Sequence, residues 1–299
     1  MPTNSSSGSP SFRLRILLIR HGESENNLHH EISLQAFEEH RVPDPSITAR
    51  GTEQAQCVAD YFQKMMTVAS ANNDITGGDG VDAMYVSPMR RTMQTAVPIV
   101  EAIVSSPQTD STTNVEEGND NGNHKSTKAP PLVQVWTDIY EVSGVHDRGI
   151  GKPGLTSLEM QDQFPVLSRC LPDTVTEQGW YDMSLGRETN AHGQRRCQKV
   201  WKNLVAMAQA LTQNSCIIMV VHGYFMDYLL QAALGILEVQ DSDIHNPLVE
   251  KSKIFPTWNA SITAVDIHSS NCQRPTILFH NSVAHLPSHL VKTSKLGKC

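Results

Sequence analysis

The stretch RILLIRHGESENN, Arg15–Asn27, joins an apolar run directly to Arg20, His21 and Gly22. A continuous apolar run such as Ile16–Ile19 is typical of a strand that is buried on both faces of a parallel sheet. Glycine directly after the histidine lets the backbone turn sharply and approach a ligand closely. The stretch therefore predicts a central strand that delivers a guanidinium and an imidazole to one edge of the sheet.

A second apolar run ends in the same way. Residues Cys216–Val221, CIIMVV, are followed by His222 and Gly223. In open α/β sheets, ligands bind outside the carboxyl ends of such strands. We therefore expect His21 and His222 to lie at the same edge, and next to each other if the two strands are neighbours.

A third segment, SPMRRTMQTA over Ser87–Ala96, follows the predicted strand Val81–Val86 and opens a helix. Arg90 or Arg91 then stands at the same edge, near the positive end of a helix. Because a guanidinium fork binds phosphate oxygens bidentately, two histidines and two arginines at one edge predict a phosphate site.

The chemistry of this site follows from imidazole. Its reference pKa of ~6.5 leaves the neutral, nucleophilic form available at cellular pH. Such an imidazole can attack phosphorus and form a phosphohistidine that water later hydrolyses. The leaving alcohol needs a general acid, and Asp138 and Glu141 both follow the predicted strand Leu132–Trp136. We expect no cofactor and no metal, because no HExxH or EF-hand pattern occurs.

The order of the elements predicts the fold class. Strands alternate with helices, which predicts an α/β fold, a three-layer α/β/α sandwich with a mainly parallel central sheet. Residues 28–47, with Pro43 and Pro45, are expected to be irregular. The predicted helices are Arg50–Thr67, Arg91–Val104, Ser157–Gln163, 189–212 and Phe225–Leu234, and the last strands are 260–267 and 275–280.

Composition predicts the domain organisation. Residues 1–12 are rich in serine, proline and glycine, and residues 105–130 contain almost no large apolar side chain. Such segments cannot bury enough surface to offset the entropy of ordering. We expect a disordered N-terminal tail over 1–12, one catalytic domain over 13–290 with a disordered insertion at 105–130, and a C-terminal tail over 291–299.

Charge and cysteine content exclude several classes of protein. Lysine and arginine number 24 against 31 acidic residues, for a formal net charge of −7, which argues against nucleic-acid binding. No apolar run approaches the length of a membrane span, so no membrane partner is expected. The six cysteines form no CxxC pair, which favours reduced thiols and a cytoplasmic location.

Six motifs together resemble the histidine phosphatase superfamily, the phosphoglycerate-mutase-like fold. The central one is Arg20-His21-Gly22 in LLIRHGESENN. The others occur in the family's order and extend the resemblance over residues 14–286: DPSITARGTEQA (44–55), SPMRRTMQTA (87–96), IYEVSG (139–144), IIMVVHG (217–223) and NSVAHL (281–286).

The resemblance implies a role for each matching residue. His21 is implied to be the nucleophile that is transiently phosphorylated, and His222 the second imidazole that stabilises the transferred charge. Glu141, rather than Asp138, matches the general acid. The implied phosphate-binding residues are Arg20, Asn27 and Arg91, and Arg90 is left as a surface residue.

The implied activity is that of a metal-independent phosphomonoesterase of the histidine acid phosphatase type. Its substrate would be a phosphorylated small molecule or phosphoprotein, selected by the loops 28–47 and 142–187. A cofactor-dependent phosphoglycerate mutase is the first alternative, but the Gly-Trp that follows the signature in mutases is missing between Asn27 and Asp44. A non-catalytic phospho-ligand binding module is the second, and the presence of His21, Arg91 and His222 argues against it.

Overall fold

The computed structural model describes residues 10–67, 75–78, 80–105, 129–169, 171–237 and 253–291. The predicted insertion and the two predicted tails therefore lie almost entirely outside the described residues. The described strands are β1 (Arg13–Arg20), β2 (Ala83–Val86), β3 (Leu132–Val135), β4 (His146–Asp147), β5 (Ile150–Gly151), β6 (Ser215–Val221), β7 (Ile262–His268) and β8 (Thr276–Ser282). The described α-helices are α1 (Glu25–Ile32), α2 (Leu34–His40), α3 (Ala49–Thr67), α4 (Arg90–Ser105), α5 (Ser157–Gln163), α6 (Asn190–Gln209) and α7 (Gly223–Ala233).

Six of the strands form one mixed sheet in the order β3-β2-β6-β1-β7-β8. The pairs β3–β2, β2–β6 and β6–β1 are parallel, and β7 is antiparallel to both β1 and β8. The strands β4 and β5 form a separate antiparallel hairpin. This architecture confirms the predicted α/β sandwich.

The side chains of β1 show why the fold has three layers. Successive residues of a strand point to opposite faces of the sheet. Leu17 and Ile19 enter a core that includes Phe62 of α3 and Ile99 of α4. Leu14, Ile16 and Leu18 enter a second core that includes residues of α6 and α7, among them Leu204 and Leu229. Both faces are buried, as the continuous apolar run predicted.

The expectation of an irregular segment over residues 28–47 is wrong. Helices α1 and α2 occupy most of it, and an N-terminal serine caps each one. Ser24 and Asn27 form a capping box, and Ser33 Oγ accepts from the N–H of Ala36 at 2.9 Å. Neither helix contains a buried residue, so no apolar periodicity marks them in the sequence.

A buried ion pair fixes the register of β1 against β7. Arg15 and Asp266 are opposite each other in the ladder. Arg15 Nε and Nη2 donate to the two carboxylate oxygens of Asp266, each at 2.8 Å, and Nη1 donates to the carbonyl of Ile75 at 3.1 Å. The pairing is bidentate and both side chains are buried, so neither charge is left uncompensated. No helix among the residues given above is long and apolar enough to cross a bilayer.

Asp266→Asn is expected to lower the free energy of unfolding by about 3–5 kcal/mol, because it leaves the Arg15 charge buried without a counter-ion. Chemical denaturation measures the change. The exposed Asp173→Asn serves as the control and is expected to leave stability unchanged. The double variant Arg15→Met/Asp266→Leu is expected to recover most of the loss, and a change below about 1 kcal/mol in Asp266→Asn would contradict the argument.

Candidate active site

The pairing of β1 with β6 brings the two predicted histidines together. Arg20 is opposite Val221 in the ladder, and the N–H of His21 donates to the carbonyl of Val221 at 3.0 Å. The ring centroids of His21 and His222 lie 5.2 Å apart, with 59° between the ring planes. Both rings thus stand at one sheet edge, as expected of neighbouring parallel strands.

Both rings are nearly inaccessible to solvent, at 2% exposure for His21 and 0% for His222. The atoms that hydrogen-bond to them are polar, since Arg91 contacts the first ring and Ser87 the second. Each buried ring therefore has a polar partner at the sheet edge.

The hydrogen bonds of His21 fix its tautomer. Nδ1 lies 2.7 Å from the carbonyl oxygen of Gly22, which can only accept, so Nδ1 carries the proton. Nε2 is then the acceptor for the Nε–H of Arg91 at 3.2 Å. Burial, followed by the charges of Arg91 and Arg20, lowers the pKa of His21 well below its usual value. The ring is neutral, and the lone pair of Nε2 faces Arg91.

His222 makes its hydrogen bond to Ser87. Its Nε2 lies 2.7 Å from the Ser87 hydroxyl, which sits at the end of β2 and is fully buried. Burial and the charge of Arg91 lower the pKa of His222 well below its usual value. The Nδ1 atom is buried and has no hydrogen-bond partner among the described residues. An unsatisfied buried nitrogen is unfavourable, and a ligand at this position would satisfy it.

Arg20 has one fixed end and one unused donor. Its Nη1 donates to the carbonyl of Thr257, while its Nε is buried without a partner among the described residues. Burial lowers its pKa to about 10, with Glu141 opposing this effect and Arg91 adding to it. Two guanidinium groups are therefore close enough to repel each other, and an anion between them would relieve that repulsion.

Asp44 positions Arg91 at the start of α4. Its two carboxylate oxygens accept from the backbone N–H of Arg90, each at 3.1 Å, and Oδ1 lies 3.6 Å from Arg91 Nη1. Burial raises the pKa of Asp44, and the Arg91 charge opposes the rise. The side chain of Arg90 instead contacts Gln163 of α5. The structure thus brings Arg91, and not the side chain of Arg90, to the histidines.

The structure separates the two candidate acids. Glu141 accepts from the backbone N–H groups of Phe225 at 3.0 Å and Tyr224 at 3.3 Å, in the first turn of α7. This turn directly follows His222, so the carboxylate stands beside the histidines. The carboxylate of Asp138 forms an ion pair with the exposed Lys199 at 3.0 Å instead.

A buried ion pair that the sequence reasoning missed supports the Glu141 loop. Arg196 donates to both carboxylate oxygens of Glu188, at 2.9 and 2.8 Å. Its Nη1 also donates to the carbonyls of Asp138 and Tyr140, each at 2.9 Å. The backbone on either side of residue 139 is therefore fixed just before Glu141.

Asn27 is linked to His21 through Asn259. Its Oδ1 accepts from Ser24 and, at 3.0 Å, from Nδ2 of Asn259, which also donates to the carbonyl of His21 at 3.1 Å. The side-chain oxygen is therefore engaged in structure, and only the Nδ2 of Asn27 can donate to an anion.

Several further contacts of the site were missed by sequence reasoning. Ser87 and Asp44 belong to segments that were recognised, but nothing in one sequence distinguishes them from their neighbours. Asn259 lies in KIFPTWNASI, a stretch with neither periodicity nor a recognised motif. Among the described residues, no three histidine, cysteine or carboxylate side chains are grouped as a metal site.

A protein-family model matches the part of the chain that contains His21. The family model of the histidine phosphatase superfamily (branch 1) matches residues 16–117. The match confirms the resemblance that the motifs around His21 and Arg91 indicated. No curated protein matches the chain.

Among solved structures, the chain is similar to several phosphatases and hydrolases. A mycobacterial glucosyl-3-phosphoglycerate phosphatase is 18% identical over 91% of this chain and 100% of that one, with a TM-score of 0.47. A phosphoserine phosphatase from Entamoeba histolytica, solved with 3-phosphoglyceric acid, is 17% identical over 92% and 100%, with a TM-score of 0.46. A second mycobacterial hydrolase is 18% identical over 93% and 94%, with a TM-score of 0.48.

The histidine titrations test the electrostatics of this site. Burial and positive charge both disfavour imidazolium, so the side-chain resonances of His21 and His222 are expected to show no inflection near pH ~6.5 in the folded protein. Two-dimensional NMR between pH 7.5 and pH 5.5 measures this, with assignments from His21→Gln and His222→Gln. The urea-unfolded chain is the control, and an inflection of the folded His21 near ~6.5 would contradict the described geometry.

Proposed function

We propose that this chain, which matches the histidine phosphatase superfamily, is a metal-independent phosphomonoesterase that works through a phosphohistidine on His21. The observation that carries the proposal is the pair of neutral imidazoles 5.2 Å apart at adjoining strand ends, with Arg20 and Arg91 beside them. A single catalytic domain over residues 13–290 carries this activity, because both histidines come from one sheet.

Substrate binding starts with a change at Arg91. In the ligand-free site its Nε donates to the lone pair of His21 Nε2. The phosphoryl oxygens of an incoming ester are stronger acceptors, because they carry negative charge. Arg91 therefore moves its donors to these oxygens, and the same movement frees Nε2 for attack.

The first chemical step transfers the phosphoryl group. Nε2 of His21 forms a bond to phosphorus as the ester P–O bond breaks, while Nδ1–H keeps its hydrogen bond to Gly22. Glu141 acts as the general acid and gives a proton to the departing alcohol oxygen. Its hydrogen bonds to the backbone of the first turn of α7, directly after His222, support this role.

His222 and the arginines stabilise the charge on the phosphoryl oxygens during transfer. In the proposed tautomer the proton of the His222 ring is on Nδ1, and Nε2 accepts from the Ser87 hydroxyl, which lies 2.7 Å away. This Nδ1–H, unpartnered among the described residues, then binds a phosphoryl oxygen together with Arg20 and Arg91. Asn27 contributes a neutral donor from its Nδ2.

The second step hydrolyses the intermediate. The Glu141 carboxylate removes a proton from water, whose oxygen attacks phosphorus as the N–P bond breaks. The products are inorganic phosphate, neutral His21 and a protonated Glu141, so the cycle is closed.

The proposal also includes the pH range, the cellular location and the class of substrate. Since the pKa of His21 is lowered, the nucleophile stays neutral in mildly acidic solution, which supports a hydrolase of the histidine acid phosphatase type. Cys57, Cys197, Cys216 and Cys272 are free thiols, which supports a cytoplasmic location. The substrate is a phosphorylated small molecule or phosphoprotein, because Arg20 and Arg91 bind the phosphoryl group itself.

His21→Ala is expected to reduce turnover of p-nitrophenyl phosphate at least ~10³-fold, because it removes the nucleophile. Wild-type protein that is rapidly quenched in alkaline detergent during turnover is expected to carry acid-labile, alkali-stable phosphate, which the variant lacks. EDTA is expected to leave the wild type active, and the control His268→Ala, at the opposite edge of the sheet, to behave as the wild type. Full activity of His21→Ala, or a strict metal requirement, would refute the mechanism.

Glu141→Gln is expected to slow hydrolysis of alkyl phosphates by about 10²–10⁴-fold, because their alkoxides need a proton to leave. The effect on p-nitrophenyl phosphate is expected to be much smaller, since its leaving group is stable as an anion. Steady-state kinetics on both esters measures this difference, with Asp138→Asn as the matched control. Equal losses on the two esters, or a larger loss in Asp138→Asn, would remove Glu141 from the role of acid.

A further inference from the structure

A small space beside Gly223 is bordered by two cations. Gly223 opens α7 directly after His222. A Cβ atom at this position would lie 3.3 Å from Arg20 Nε and 3.5 Å from Lys253 Nζ. Both cations therefore face the same side of Gly223, and because glycine carries no side chain there, one phosphoryl group in front of it can contact both.

Arg20 Nε, which borders this space, is a donor that has no acceptor among the described residues. The Nη1 end of the guanidinium is held by the carbonyl of Thr257, and Nε is buried without a partner among the described residues. A buried donor without an acceptor destabilises the ligand-free protein. An oxyanion in the space next to Gly223 would satisfy it.

The Lys253 side is positioned by a buried carboxylate of α7. Asp227 Oδ1 accepts from the backbone N–H groups of Ile254 at 2.9 Å and Phe255 at 2.6 Å, and its Oδ2 accepts from Gln231 Nε2 at 3.0 Å. These bonds fix the chain directly after Lys253 against the helix. The ammonium accordingly lies 4.9 Å from the ring centroid of Tyr224, in the first turn of α7.

We propose that Lys253 is a third cation of the phosphate site, and that its ammonium binds a phosphoryl oxygen in the space beside Gly223 together with Nε of Arg20. The inference rests on the proposed function, since it assumes that the site receives a phosphoryl group. A phosphate monoester dianion has three non-bridging oxygens. Three cations, Arg91, Arg20 and Lys253, are then available to bind them. The ammonium of Lys253 carries three donors on a flexible stem, so one of them can reach a phosphoryl oxygen.

Binding of inorganic phosphate tests this role without any turnover. Lys253→Gln is expected to weaken phosphate binding by ~10-fold or more in titration calorimetry, because it removes a charge-assisted contact. Lys253→Arg, which keeps the charge, is expected to stay within ~3-fold of the wild type. Lys199→Gln is the matched control, because Lys199 is an exposed lysine paired with Asp138, and phosphate affinity is expected to be unchanged.

Gly223→Ala tests the space itself. The added methyl group lies 3.3 Å from Arg20 Nε, so phosphate binding is expected to weaken, and a cooperative melting transition measured in parallel is expected to show that the protein stays folded. This variant separates loss of the oxygen site from loss of the fold.

Equal phosphate affinity of Lys253→Gln and wild type overturns the inference, as does the absence of phosphate binding to the wild type at millimolar concentration. If Lys253→Gln changes only the pH profile of kcat, Lys253 acts on Glu141 and not on the phosphoryl group, and the inference is overturned. Phosphate binding that depends on Lys253 in a protein that hydrolyses no ester would refute the proposed function and leave this inference standing.

Discussion

The parallel pairing of β1 with β6 is the interaction on which the candidate site depends. Its register places Arg20 opposite Val221, and the next residue on each strand is a histidine. The side chains of a strand alternate between its faces, so a slip of one residue would send the apolar residues of β1 into the wrong cores and separate the rings. Burial of β1 on both faces therefore fixes the histidine geometry, because the same contacts specify the register. On the other side of β1, the ion pair of Arg15 with Asp266 fixes its register against β7.

The site concentrates positive charge where solvent is excluded. Burial and the charges of Arg20 and Arg91 lower the pKa of both histidines, and burial and Arg91 lower that of Arg20. Burial also lowers the pKa of Arg91, and the charges of Asp44 and Glu141 oppose that effect. Such an arrangement is unfavourable for an empty protein and favourable for one that holds a phosphate. It also keeps the imidazoles neutral, because an imidazolium would add to the same repulsion. The same positive charge thus favours phosphate binding and keeps His21 nucleophilic. The unsatisfied Nε of Arg20 and Nδ1 of His222 destabilise the ligand-free protein.

The sequence could predict the elements that show themselves as buried apolar runs or as periodic apolar patterns. Continuous apolar runs identify β1 and β6 and hence the shared edge of His21 and His222. Helices α1 and α2 could not be predicted in this way, because they bury no residue and are specified by the caps Ser24 and Ser33. The choice between Asp138 and Glu141 was equally undetermined by spacing. It depends on partners far along the chain, namely Lys199 for the first and the amides of α7 for the second. The proximity of Lys253 to Arg20 was missed for the same reason, since it depends on contacts such as those of Asp227 with the chain directly after Lys253.

The contact of Arg91 with His21 gives the ligand-free site a further property. The lone pair that would attack phosphorus is occupied by a guanidinium donor, and both rings are covered. Only a ligand that offers Arg91 a stronger acceptor than neutral imidazole can draw the guanidinium away, and negatively charged oxygens are such acceptors. A neutral ester or water cannot compensate Arg91 for this lost bond together with the repulsion from Arg20. In the proposed mechanism, selection for a dianionic phosphoryl group and release of the nucleophile are therefore one event. Asp44 limits this movement, because its bonds to the N–H of Arg90 hold the start of α4 and its carboxylate lies 3.6 Å from Nη1 of the Arg91 guanidinium.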